Sequence, residues 1–231
     1  MDEIENIKRE IVRTATEFII SDFKLTNSFS ESWIGKVYLY KYDEEIPKDC
    51  NGVLMIPLLQ LNLENIVLPE IISDSKVITV FVSEELPMDL TENGQNWLLR
   101  EYKKSDSLTI KELKHPETII KSFPLKKQII DEDYPVWDGG GLTSEIEDKI
   151  IELENSGIIE DYHDVTENCY GHKLGGYPSF CQPGIDFGDD FEFIFQIASD
   201  DKANLNFVDS GTLFFAKNKK TGEWRYYCDF Y

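Results

Sequence analysis

A chain of 231 residues carries 44 acidic and 23 basic side chains, a formal net charge of -21. Such a field repels nucleic-acid phosphates and anionic lipid, so no nucleic acid and no membrane are expected as partners, while a basic protein would be drawn to it. Hydrophobic residues at 41% and aromatic residues at 13% are a folding composition and argue against intrinsic disorder, and the length favours one compact domain spanning 1–231.

In chain order, Ile4, Ile7, Ile11, Ala15, Phe18 and Ile19 recur at helical spacing and predict an amphipathic helix over 3–20. Aromatic and β-branched residues predict a strand over 33–42, and Asn51-Gly52 supplies hairpin chemistry before strands at 53–63 and 76–83. The charges within 97–103 mark an edge strand. Between 108 and 130, Pro116 is expected to open a short helix through Ile120 that Pro124 ends.

Ser144 with Glu147 has capping-box spacing and starts a helix in which Ile146, Ile150 and Leu153 share a face, stopped at Gly157 by a left-handed cap. The last third predicts short strands at 191–198, 205–208, 212–216 and 224–228. The fold class expected is α+β, predominantly β.

Gly35, Gln60 and Phe81 are echoed by Gly176, Gln196 and Phe215, with intervals of 25 and 21 residues in the first set and 20 and 19 in the second. The intervals are too unequal for a solenoid but suit a duplicated antiparallel sheet unit with loop insertions, in half-repeats over about 30–105 and 165–231.

The chemistry-bearing types are thinly spread. Gly139, Gly140 and Gly141 precede a helix but lack a Gly-Lys-Ser/Thr ending, and the surrounding acids would repel phosphate. His163, Cys169, His172 and Cys181 are zinc-ligand types without paired-dyad spacing. No metal and no cofactor are expected, and Cys50, Cys169, Cys181 and Cys228 read as free thiols of a reducing, cytoplasmic compartment. The acidic start, without a long apolar run, agrees with that compartment. Asp209-Ser210-Gly211 reads as a turn in which Asp209 bonds its own backbone and Gly211 takes a positive φ.

His172-Lys173-Leu174-Gly175-Gly176-Tyr177-Pro178, Gln182, Phe195-Gln196-Ile197, Ser199-Asp200, Asp209-Ser210-Gly211, Phe214-Phe215 and Tyr227-Cys228-Asp229 together resemble the YwqG-like family, a bacterial family of unknown function. Gly35, Pro47, Gly52, Leu58-Leu59-Gln60-Leu61-Asn62 and Pro69 extend the resemblance into the first half. Val208 stands where the family has tryptophan, and Tyr226-Tyr-Cys-Asp lacks another. The resemblance implies a duplicated, β-rich bacterial protein and supplies no catalytic residues.

Between Asp131 and Asp164, twelve acidic side chains meet one lysine, Lys149. The expected function is therefore a non-enzymatic protein-binding module, an immunity- or antitoxin-like inhibitor of a basic, toxin-like partner. The alternative is a small-molecule-binding protein or hydrolase whose cleft gathers His172, Lys173, Tyr177, Gln182, Gln196, Asp200 and Asp209.

Overall fold

The computed structural model describes residues 2–21, 26, 28–84 and 91–231. The elements are α1 (Asp2–Ile11), β1 (Arg13–Ile20), β2 (Ser32–Ile34), β3 (Leu39–Tyr40), β4 (Ile56–Asn62), β5 (Ser75–Val82), β6 (Trp97–Lys103), β7 (Thr109–Ile110), β8 (Phe123–Asp133), α2 (Ser144–Asn155), β9 (Lys173–Gly175), β10 (Phe191–Ala198), β11 (Thr212–Asn218) and β12 (Trp224–Asp229). Ten strands form one antiparallel sheet in the order β12-β11-β10-β9-β1-β8-β2-β4-β5-β6, and β3 pairs with β7. The fold is mostly β, with two α-helices among the described residues.

The sheet curls until its edges nearly meet. Trp97 of β6 packs edge-on against Tyr226 of β12 at 5.0 Å and against Phe215 of β11 at 6.0 Å between ring centroids. Such aromatic pairs add about 1 kcal/mol each beyond their buried area. Glu101 of β6 crosses the same seam to Lys217 Nζ at 2.6 Å, and Trp224 Nε1 donates to it at 3.1 Å. Side chains rather than backbone hydrogen bonds thus close the barrel, around a core that includes Leu59, Ile78, Leu99, Phe195, Phe215 and Tyr226.

Five expectations are corrected. The helix over 3–20 ends at Ile11, and residues 13–20 become β1. Ala15, Phe18 and Ile19 suit a helical period, but Thr16, Phe18 and Ile20 also alternate inward. The strand wins because β8 and β9 supply partners on both its edges. The strand over 33–42 breaks at Gly35, where φ is +67° and a Cβ would lie 2.8 Å from the Lys121 carbonyl oxygen.

No helix forms at 116–120, and the stretch from Phe123 is β8, with Pro124 as its second residue opposite Trp33. The strand expected at 205–208 shrinks to one bridge between Asp200 and Leu205, because Val208 at φ +58° turns the chain. The edge strand at 97–103, the left-handed Gly157 and the strands at 191–198 and 212–216 stand as expected, although the cap of α2 is Thr143 rather than Ser144.

About β1·β8 the two flanks match in strand number, β2-β4-β5-β6 on one side and β9-β10-β11-β12 on the other. They match in register too. Trp33 faces Gln60 and Ile34 faces Leu59, while Lys173 faces Gln196 and Leu174 faces Phe195.

Candidate functional site

The structure distributes the seven candidate residues among separate environments. Lys173 and Tyr177 converge on Asp133, which is fully buried at the end of β8. Lys173 Nζ donates to both Asp133 oxygens at 3.0 Å, and the Cys169 and Tyr177 amides donate to the same carboxylate at 2.8 and 2.7 Å. Burial pulls the Lys173 ammonium below the usual lysine range, against the attraction of Asp133. Gly176 is required here, since φ is +66° and a Cβ would sit 2.1 Å from Asp133 Oδ2. The Arg13 guanidinium covers the buried Tyr177 ring at 4.0 Å from its centroid.

Gln196 is buried on β10 and clamps the segment around β9. Its Oε1 accepts from the Ser179 amide at 3.0 Å, and Nε2 donates to the Gly171 carbonyl at 2.9 Å. Gln60 does the corresponding work on the other flank, accepting from the Tyr38 and Leu39 amides and donating to the Glu31 carbonyl. A buried amide that saves two or three backbone groups from desolvation is a structural clamp.

His172 and Asp200 do come together. His172 Nδ1 accepts from the Ala198 amide at 3.1 Å, which leaves the proton on Nε2, and Nε2 lies 3.7 Å from Asp200 Oδ2 without a hydrogen-bond partner. The adjacent His172 ring holds the Asp200 carboxyl below the usual carboxylate range, although partial burial opposes it. Asp200 opens onto a cleft of about 490 Å³ shared with Ser199, Lys202 and Ser210.

Gln182 and Asp209 stand apart, both exposed. Gln182 Nε2 donates to the Phe230 carbonyl at 2.6 Å. At Asp209-Ser210-Gly211 the expected turn is corrected: the Ser210 amide bonds Asn206 Oδ1, and Ser210 rather than Gly211 takes a positive φ, +52°. Gly211 is needed for closeness instead, because a Cβ there would lie 2.3 Å from the Asp229 carbonyl oxygen.

Asp133, Asn168, Cys181 and Asp229 organise these environments; sequence reasoning gave Asn168 no role, counted Asp133 only among the acids of its segment, read Cys181 only as a free thiol of zinc-ligand type, and met Asp229 only within a family motif. Asp133 and Lys173 are 40 residues apart, and Cys181 and Asp229 are 48 apart, so no local spacing signals either pairing. All four cysteines are free, and no three His, Cys, Asp or Glu side chains converge on a metal position among the described residues.

A second candidate surface lies over the helices. Ile7 and Ile11 of α1 join Ile146, Ile150 and Leu153 of α2 in one apolar cluster with Tyr134, leaving the polar faces outward. Glu3, Glu5, Glu10, Glu145, Asp148 and Glu152 are all exposed. Burial, then Glu132, which accepts the Tyr134 hydroxyl at 3.1 Å, then Glu5 push the Tyr134 hydroxyl up to about 12, so carboxylates of α1 and β8 act on one group. Among the described residues no helical carboxylate takes part in an ion pair, whereas Lys219–Glu192, Lys220–Asp190 and Arg225–Glu223 are paired elsewhere.

None of the curated proteins compared matches the chain. Residues 34–222 match the model of a family described as a domain of unknown function, DUF1963, and the chain belongs to that family.

Proposed function

We propose that the chain is a non-enzymatic protein-binding module that neutralises a basic partner through its helical face, as an immunity protein or antitoxin would. The observation that carries this reading is the unpaired state of the α1 and α2 carboxylates, set against the paired acids elsewhere on the surface. Like charges held together without counterions destabilise the free protein slightly and are relieved when a cationic surface docks.

The test is co-expression with basic proteins encoded beside this chain, followed by association kinetics. The on-rate should fall at least about tenfold between low and high salt, and Glu145→Gln, Asp148→Asn and Glu152→Gln together should lower it at low salt. A rate indifferent to both changes would end this reading.

A second reading, a small-molecule-binding protein or hydrolase with a cleft around His172 and Asp209, is supported by the His172–Asp200 contact beside the open cleft. Activated-ester hydrolysis that His172→Asn abolishes would support it. Absence of turnover would remove the hydrolase form of it.

We also infer that the two flanks are copies of one unit, that the chain is YwqG-like, and that it works in the cytoplasm. The shared register and the two glutamine clamps support the first inference, and the free thiols support the last. A rotation about the β1·β8 axis that failed to superpose the flanks would overturn the duplication.

A further inference from the structure

A carboxylate taken out of water needs donors on both oxygens or a cation beside it. Three acidic residues among the described ones are less than a tenth exposed: Glu31, Asp133 and Asp229. Glu31 is satisfied on both oxygens, Oε1 by the Thr26 amide and hydroxyl and Oε2 by Trp33 Nε1 and the Tyr38 hydroxyl. Asp133 has two amides and the Lys173 ammonium.

Asp229 differs. Its Oδ2 takes the Cys181 amide at 2.7 Å, the Gln182 amide at 3.2 Å and the Cys181 thiol at 3.3 Å. Its Oδ1 accepts from none of the described residues, and no Lys, Arg or His nitrogen among them lies within 4.0 Å. Asp229 as a residue is 3% exposed and forms part of the wall of a cavity of about 220 Å³, with Tyr170, Cys181, Ser199, Ser210 and Thr212.

The remaining wall is suited to one kind of guest. Thr212 pairs with Asp229 across β11·β12, and the turn before it is pressed onto β12 at Gly211, which fixes Ser210 beside the same cavity. The side-chain hydroxyls of Ser210 and Thr212 have no partner among the described residues, so they and Oδ1 offer three acceptors. A primary ammonium has three donors. Tyr170 brings an aromatic ring to the same wall, and aromatic rings attract cations. Burial first, and then Asp229, push the Cys181 thiol up to about 11, so it remains a protonated donor to Oδ2 and does not compete as an anion.

We propose that this cavity binds the ammonium group of a small aliphatic primary amine, with Asp229 Oδ1, Ser210 and Thr212 as its acceptors. The volume equals that of about seven waters at roughly 30 Å³ each, enough for an amine of a few carbons. The site is independent of the acidic helical face, and either reading can fail alone.

The experiment is an amide-resolved NMR titration of the full chain with n-butylamine at neutral pH, beside 1-butanol as the uncharged isostere. Saturable shifts centred on the Cys181, Gln182 and Thr212 amides are expected, with butanol at least about tenfold weaker. Asp229→Asn keeps an oxygen for the two amides and removes the charge, and it should weaken the amine at least about tenfold. Should that variant fail to fold, Thr212→Met, which fills the cavity from the start of β11, must abolish the saturable shifts. Equal response to butanol, undiminished binding by either folded variant, or unsaturable shifts spread along α2 would overturn the proposal.

Discussion

The two flanks of the sheet meet the central pair in one register but place different chemistry there. On the first, Trp33 lies opposite Gln60 and its indole nitrogen reaches Glu31 at 3.1 Å. On the second, Lys173 lies opposite Gln196 and its ammonium reaches Asp133. The glutamine clamp is common and the neighbour is not. Backbone demands therefore fix the clamp, because unpaired buried amides are costly whatever surrounds them, whereas the facing position only has to fill volume and satisfy its own polar end.

The largest expected effect breaks the second flank alone. Lys173→Met preserves length and leaves Asp133 buried with two amides but no cation, so urea denaturation should show a loss of about 3–5 kcal/mol. A variant as stable as the parent would mean that the ion pair is expendable and that the flanks are chemically interchangeable at this position.

The next effect couples the flanks across the barrel seam. Burial alone would raise the Glu101 carboxyl, but hydrogen bonds from Lys103, Lys217 and Ser75 outweigh it and pull it down to about 2 from 4.5. A carboxyl lowered in the folded state stabilises above its unfolded value and loses that contribution as pH falls. Glu101 should thus contribute about 3 kcal/mol at neutral pH, fading between pH 4.5 and about 2. Glu101→Gln should be less stable at pH 7 and converge with the parent near pH 2, as followed by thermal melts across that range. Parallel pH profiles would show that the seam is held by its aromatic residues alone.

Much of the sheet was legible because strand signals are local. The apolar runs of β4, β5, β10 and β11 and the charged edge of β6 announce themselves within a few residues. β1 was hidden because its apolar residues continue the helical spacing of α1, and β8 because Pro124, Lys126 and Lys127 interrupt its apolar pattern. Among the site candidates, His172 with Asp200 could be suspected from their residue types and a shared motif. The burial of Lys173 and the half-satisfied carboxylate of Asp229 could not, since each depends on a partner at least 40 residues away and on a sheet order that only the fold reveals.

The smallest of the expected losses sharpens the comparison at its common feature. Gln60→Leu strands the Tyr38 and Leu39 amides and the Glu31 carbonyl, while Gln196→Leu strands the Ser179 amide and the Gly171 carbonyl. Each stranded group costs roughly 1–3 kcal/mol if it stays dry, but both glutamines clamp loop segments that can shift toward water, so about 2 kcal/mol per variant is expected. Because the substituted positions lie on opposite flanks with no partner in common, the double variant should lose the sum of the two. Equal and additive losses would mark the glutamines as one device used twice. A much larger loss at Gln196 would show that its clamp also holds the Lys173–Asp133 pair in place, a burden that Gln60 does not carry beside Trp33.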